Sequence, residues 1–520
     1  MSEGAPVFRK TRKVPAPQTA DPGPSRAVEP PGAAASGRRA PDDDSSDEQG
    51  LRARPTRRTA LAASALAAAT PLLPPARFAS SASATADPWS RVPAILARVT
   101  PPRFPQQWFD IRDFGAVGDG VTKNTAAFRR AVDACHDAGG GHVVVPAGGR
   151  FLTGAIHLRS RVNLRVDGTV LFSTDPADYL PMVYTRWEGT ECWNYSAFVY
   201  AHGRHDIAIT GHGTLDGQGM DGPWKSWRDP GGGQPADQAE LRRMGEEGVP
   251  VARRLFGPGH CLRPNMVQFY RCRNVLIQDV TVLEPAMWTL HPVLCTNVLI
   301  KDVDVIGRIN NSDGVDPECC ADVLITGCRF HTEDDSVAVK SGRDEDGLRV
   351  GVPSRGIVVR DCVFSGRWGG IAVGSEMSGG AYEVFAENCR INPVDFPGRF
   401  NPRHPVFLKT NTKRGGAIDG VYVRNFTGRR IDRDCVYLTA RYAGQSGPHQ
   451  AVIRNVRVEN MRHDGARGAL NLEGLDAHPF GPVHIAHCDF TGIERPNVIE
   501  GAPQLTLRKV FVNGTEVHHP

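Results

Sequence analysis

Three carboxylates stand in one stretch, residues 310–342, NNSDGVDPECCADVLITGCRFHTEDDSVAVKSG: Asp313, then the adjacent pair Asp334 and Asp335. Carboxylates gathered around one bond can divide acid–base work between them. Crowding raises the pKa of one, which stays protonated as a general acid, while another stays ionised and takes a proton from water. An extended backbone sends neighbouring side chains to opposite faces, so Asp334 and Asp335 can serve a substrate and a water separately. The alternative is a solvated acidic loop. What decides is whether the chain stacks positions that lie so far apart.

An internal repeat from 205 to 512 provides that stacking. Its copies are IAITGHGT (207), VLIQDVTV (275), VLIKDVDV (298), VLITGCRF (323), IVVRDCVF (357), VFAENCRI (384), VYVRNFTG (421), AVIRNVRV (451), VHIAHCDF (483) and LTLRKVFV (505). The first and third positions are mostly apolar, the fifth is usually Asp, Asn or Gly, and the eighth is usually Val, Ile or Phe. Apolar residues alternate with period two and change phase across the fifth position, which means a bend. Regular copies lie about 23 to 37 residues apart. Short strands, sharp corners and this spacing predict an all-β fold, a single-stranded right-handed parallel β-helix. Cys328, Cys362, Cys389 and Cys488 occupy the sixth position, and Cys272, Cys295 and Cys320 lie three residues before a repeat start. We read these seven as small buried residues in two columns, with disulfides of an exported protein as the alternative.

Ahead of the repeat, residues 109–149 predict a helix that caps the solenoid. Thr122 or Asn124 starts it, Ala127, Phe128, Ala131, Val132 and Cys135 share one face, and Gly139 to Gly141 end it. The segment 220–262 interrupts the repeat and reads as one wall of a cleft, with a helix near 237–247. Its Trp224 and Trp227 either stack on sugar rings or pack on the solenoid.

The 520 residues are 40% hydrophobic and 23% charged, a globular balance, and their 56 glycines suit a turn-rich β protein. A net charge of +4 implies no nucleic-acid partner, and no run of apolar residues is long enough to predict a membrane span. Residues 1–51 form a disordered extension by composition. Residues 52–84 carry Arg57 and Arg58 ahead of an Ala/Leu segment ending in Ala82-Ser83-Ala84, the pattern of a twin-arginine signal peptide cleaved after Ala84. Residues 85–104 are then a linker, 105–516 the catalytic domain, and the protein is expected to be secreted and monomeric. No His, Cys or Asp constellation has convincing metal spacing, so neither a metal nor another cofactor is expected.

With these motifs in hand, the chain resembles glycoside hydrolase family 28, the polygalacturonase-like pectinases, over roughly residues 105–515. The resemblance is carried by FDIRDFGAVGDGVTKNTAAF (109–128), GTLDGQG (213–219), LRP (262–264), MWTLHPVLCTNV (287–298), NNSDGVDP (310–317), EDDSVAVKSG (333–342), VGSEMSGG (373–380) and LKTNTKRGG (408–416). It implies a pectin-lyase-like solenoid acting on a polysaccharide. It places Asn311-Ser312-Asp313 on the family's Asn-Thr-Asp motif and Asp334 and Asp335 on its paired aspartates. Asp334 would protonate the leaving oxygen, and Asp313 with Asp335 would activate water. An acid and base roughly 6.5–9.5 Å apart leave room for that water and give inversion.

Two departures accompany the resemblance. The usual Gly-His-Gly is Arg367-Trp368-Gly369-Gly370, with no His, and the usual Arg-x-Lys that grips a substrate carboxylate is Phe407-Leu408-Lys409. Lys cannot reproduce a bidentate guanidinium clamp, which turns the expected substrate from plain homogalacturonan toward a substituted or rhamnose-containing pectin. Aligning VDP (315), VAVKS (337), IAVGS (371) and VFLKT (406) puts Asp313, Asp335, Gly369 and His404 two residues before each start, in one column. His404 is thus a candidate for the missing imidazole, the alternative being a surface His. Lys409, His404, His291, Tyr442, Asn311 and Glu376 complete the expected substrate-binding set. Lys340 is a candidate buried partner for an acid, and Asp316 either holds the loop or is a turn residue. Two other functions fit the same fold: a pectic polysaccharide lyase, and a β-helical glycan-binding protein without turnover.

Overall fold

The fifth residue of every repeat turns the chain through the left-handed region. Gly211, Asp279, Asp302, Gly327, Asp361, Asn388, Asn425, Asn460, His487 and Lys509 all have positive φ. All but His487 and Lys509 are Gly, Asp or Asn, the residues that enter this region at least cost. In the computed structural model, which describes residues 87–392 and 401–519, each such corner bends one strand into the next around a right-handed parallel β-helix. Asn side chains stack along the corner: Asn425 donates to Asn388 at 3.0 Å and Asn460 to Asn425 at 2.7 Å.

The strand register matches nine of the ten aligned copies: Ile207, Val275, Val298, Val323, Ile357, Val384 and Val421 pair in turn, as do Val483 and Leu505. The copy at 451 is a correction, because the partner of Val421 is Val456. Most coils have a second left-handed corner one residue before the repeat start, at Asn274, Asn297 and Asn455 among others. In this coil both corners are Asn behind alternating Val and Arg, so the sequence offers two equivalent alignments. The seven cysteines are buried, and all 12 cysteines are free. In the sixth-position column Phe426 and Met461 separate Cys389 from Cys488.

Helix α1 spans Val92–Arg98, α2 Thr125–Asp137, α3 Pro223–Arg228, α4 Gln234–Glu246 and α5 Asp344–Val350. In α2 the buried residues are Ala127, Phe128, Ala131, Val132 and Cys135, the expected face, and they join the solenoid core. Asn124 precedes α2 but bonds Val117 and Leu152 rather than the helix.

The stretch expected as a linker, 85–104, needs correction over its described part. Trp89, Val92, Ile95 and Val99 pack on Leu324, Val358, Phe385 and Tyr422 outside the barrel, and the Arg424 guanidinium lies 3.9 Å above the Trp89 ring. That apolar quartet is spaced for one helical face, which its proline-rich surroundings obscure. The extension and the twin-arginine segment, 1–51 and 52–84, lie outside the described residues. Among the described residues no helix is long and apolar enough to cross a membrane.

Candidate active site

The site stands on the outer surface of a second sheet, whose strands include Leu290–Val293, Val337–Val339, Gly369–Val373 and His404–Lys409. Val315 bridges Leu290 to Val337, Val337 pairs with Ile371 and Ile371 with Val406. Counting from these apolar markers, Asp313, Asp335, Gly369 and His404 stand two residues before, as aligned from sequence. Glu318, Lys340, Gly374 and Lys409 stand three residues after. Strand register thus places Asp313 and Asp335 in one row and Lys340 and Lys409 in another across the sheet.

One oxygen from each of Asp313, Asp334 and Asp335 lies within 4.8 Å of the others. This is tighter than the separation expected for an inverting pair, so the spacing itself gives no argument for stereochemistry. Such closeness would also suit a cation, but two ammonium groups already serve that purpose. Lys409 Nζ donates to Asp335 Oδ2 at 2.6 Å, and Lys340 Nζ lies 3.6 Å from Asp313, 3.5 Å from Asp316 and 3.2 Å from Glu376.

Burial and like charge separate the acids. Burial above all, then the neighbouring Asp334 and Asp316, pushes Asp313 well above the ordinary carboxylate range, and its Oδ1 has no hydrogen-bond partner. Burial raises Asp316 to about 8, against the pull of Lys340. Burial and then Asp335 raise Asp334 to about 6, and Asp334 alone of the four keeps part of its surface open. Asp335 is fully buried and accepts from the Gly369 N–H at 2.7 Å as well as from Lys409. The result is one accessible, protonatable carboxyl beside an anchored one.

Gly369, where the sequence lacks the family's His, serves Asp335 through its backbone. A Cβ there would stand 2.8 Å from Asp335 Oδ1 and 3.1 Å from Ala372 Cβ. Gly369→Ala is therefore expected to displace Asp335 and lower kcat about 10- to 100-fold with the fold intact, since about 1 Å of misplacement costs on the order of 10²-fold. Steady-state kinetics beside an unchanged circular dichroism spectrum checks this.

Asp313, Asp334, Asp335, Asn311, Glu376, Lys409 and Tyr442 come together around one pocket of about 310 Å³. Asn311 holds a positive φ, and its side chain accepts from Arg263 at 2.9 Å. Glu376 is an ionic brace: Lys340 and Arg343 hold its carboxyl well below the usual range against the opposing effect of burial. The Tyr442 ring stands 5.4 Å from Lys409 Nζ.

Two expected residues are not in the lining. His291 is enclosed under the hairpin of Val183–Trp187 and Thr190–Asn194, where Glu318 holds one ring nitrogen at 2.8 Å and Asn265 the other at 2.9 Å. His404 keeps its place in the acid column, but its Nδ1 meets the Asp434 carbonyl at 3.0 Å. Burial lowers its pKa to about 4, so it is a neutral ring packed on Phe407 and Tyr437. Of the insertion's tryptophans, Trp224 is buried against Tyr179 and Phe198, and Trp227 packs on Tyr195.

The other wall was not foreseen. Glu188 from the hairpin turn, Arg228 from α3, Gln238 and Arg242 from α4, and Arg343 and Arg414 line the same pocket as the acids. Of these, only Arg414 falls within a recognised motif.

The profile of glycosyl hydrolases family 28 matches residues 259–480, and that of rhamnogalacturonase A/epimerase, pectate lyase-like, matches residues 108–175. A protein of Vitis vinifera described as a probable polygalacturonase is 30% identical over 394 residues, 72% of this chain and 72% of its own length. An exo-poly-alpha-D-galacturonosidase of Dickeya chrysanthemi is 27% identical, over 70% of this chain and 64% of that protein. The crystal structure of a hyperthermoactive exopolygalacturonase from Thermotoga maritima has a TM-score of 0.78 and 39% identity, covering 82% of this chain and 96% of that one.

Proposed function

Because the chain belongs to glycoside hydrolase family 28, we propose that it hydrolyses α-glycosidic bonds between galacturonate units of pectin-like polysaccharides, releasing sugars from a chain end. The observation that carries the reading is the trio of aspartates on the pocket floor, with Asp334 part-exposed and its pKa raised to about 6. Asp334 gives its proton to the leaving glycosidic oxygen. Asp313 and Asp335 orient a water, Asp335, anchored by Lys409 and the Gly369 N–H, accepts its proton, and direct attack by that water inverts the anomeric carbon.

Release from an end is supported by the walls. Glu188, Arg228, Gln238 and Arg242, from the hairpin and two helices, line the same pocket as the acids, and a pocket walled in this way seats a terminal ring. The twin-arginine segment at 52–84 supports export toward a polymer that lies outside the cell, and the first residue of the mature protein, expected to be Thr85, checks it.

The test is the early product mixture from polygalacturonate. Monogalacturonate should appear first, as the β-anomer by NMR, with new reducing ends and no unsaturated product absorbing in the ultraviolet. Intermediate-length oligomers at the earliest times would sink end-wise release, an α-anomer would sink inversion, and ultraviolet absorbance would make the enzyme a lyase.

A further inference from the structure

The residue standing where an Arg-x-Lys clamp has its guanidinium is Phe407, and it is buried, stacked on Tyr437 with ring centroids 5.1 Å apart. Lys409 is committed to Asp335. The floor of the site therefore has no arginine to receive a uronate carboxylate, although a charged ring still has to be held.

The helices of the insertion carry the charge. Arg228 ends α3 and lines the pocket, half-buried, with no hydrogen bond or ion pair to any described residue. Arg242, also lining it, gives one Nη to Glu188 at 2.6 Å, while its Nε is buried without an acceptor. Gln238, one turn earlier on α4, donates to the same Glu188 oxygen at 2.6 Å and so fixes the anchor on which Arg242 leans. Nearby, Arg263 is fully buried and donates only to neutral oxygens, of Gln234, Ala286, Asn310 and Asn311. Arg228 has no anion among the described residues and Arg242 shares Glu188 with Gln238, so a carboxylate brought by a ligand would complete the pairing of both.

We propose that Arg228 and Arg242 form the carboxylate clamp for the uronate ring seated in this pocket, in place of the arginine that Phe407 replaces. The inference rests on the proposed function, in which that ring is a terminal galacturonate. It moves charge recognition from the sheet, where the family motif puts it, to two helices of the insertion. It also predicts that the enzyme selects for a free acid on the terminal ring.

The experiment compares wild type, Arg228→Gln, Arg242→Gln and the two Arg→Lys variants on galacturonate oligomers whose terminal ring is either a free acid or reduced to galactose. Losing a guanidinium–carboxylate pair is expected to lower kcat/KM about 10- to 100-fold on the acid, chiefly through KM, and by no more than about threefold on the reduced oligomer. The Lys variants should recover part of the loss, because charge remains but the fork does not. Equal losses on both oligomers, or no loss on either, would overturn the clamp. A wild type that cleaves neither oligomer would instead overturn the hydrolase reading. Calorimetric binding of galacturonate against galactose to the same variants then still decides the clamp.

Discussion

Asp334→Asn is expected to lower kcat about 10²- to 10⁴-fold on polygalacturonate, the range that one general acid supplies, and to leave the fold unchanged. The Asp335 N–H donates to Asp334 Oδ1 at 2.9 Å, a bond that an amide oxygen also accepts. The substitution removes negative charge beside the buried Asp335, so melting should not fall. What it removes is the proton. With Asp334 raised to about 6, wild-type activity requires the protonated form and declines as pH rises through about 6, and the variant should lack that decline. The loss should also shrink on an aryl galacturonide, whose leaving group departs without protonation. A variant with an unchanged pH profile, or an equal loss on both substrates, would mean that Asp334 is not the acid.

The column holding Asp313 and Asp335 was legible because register is a property of sequence in a solenoid. Asp313 and Asp335 precede apolar markers by the same offset, and Lys340 and Lys409 follow theirs by another, so the coil stacks each set whatever the loops do. The same rule placed His404 correctly in its column. What no offset reveals is depth. His404 stands among Phe407, Tyr437 and the Asp434 carbonyl, and burial leaves it a neutral ring away from the lining. His291 was lost for a similar reason, since the hairpin that covers it lies about a hundred residues earlier in the sequence.

The arginine wall was illegible for the opposite reason. Residues 220–262 interrupt the repeat, so nothing in their spacing says which coil they fold against. The tryptophans drew attention there and proved to be packing, while Arg228 and Arg242 read as ordinary helix-surface cations. A sign was present in the missing arginine at 407, because a site that binds a uronate without it must find its guanidinium elsewhere.

Lys340→Met is expected to destabilise the protein by about 3–5 kcal/mol near neutral pH, the usual consequence of removing one partner from a buried ionic cluster. The ammonium is buried 4.3 Å above the Trp288 ring and within 3.6 Å of Asp313, Asp316 and Glu376. Methionine restores much of its volume, so a purely packing role would give a small, pH-independent change. A charge role gives a signed one. Lys340 has a pKa raised well above its ordinary value, so its stabilisation is complete below about 10.5 and is lost only as pH rises through the higher folded value. Asp313 and Asp316, already raised, rise further without it and oppose folding wherever the unfolded chain would ionise them. The deficit of Lys340→Met should therefore be widest in mildly alkaline buffer and narrow as pH falls and these carboxyls protonate. Glu376 does not alter wild type within that range. Held low, it contributes stability above its ordinary 4.5 that is lost as pH falls through the depressed value. Thermal melts of both proteins from pH 5 to 9 test this. Parallel curves would reduce Lys340 to filler, whereas curves that converge toward acid would make it the counter-charge that lets Asp313, Asp316 and Glu376 crowd together.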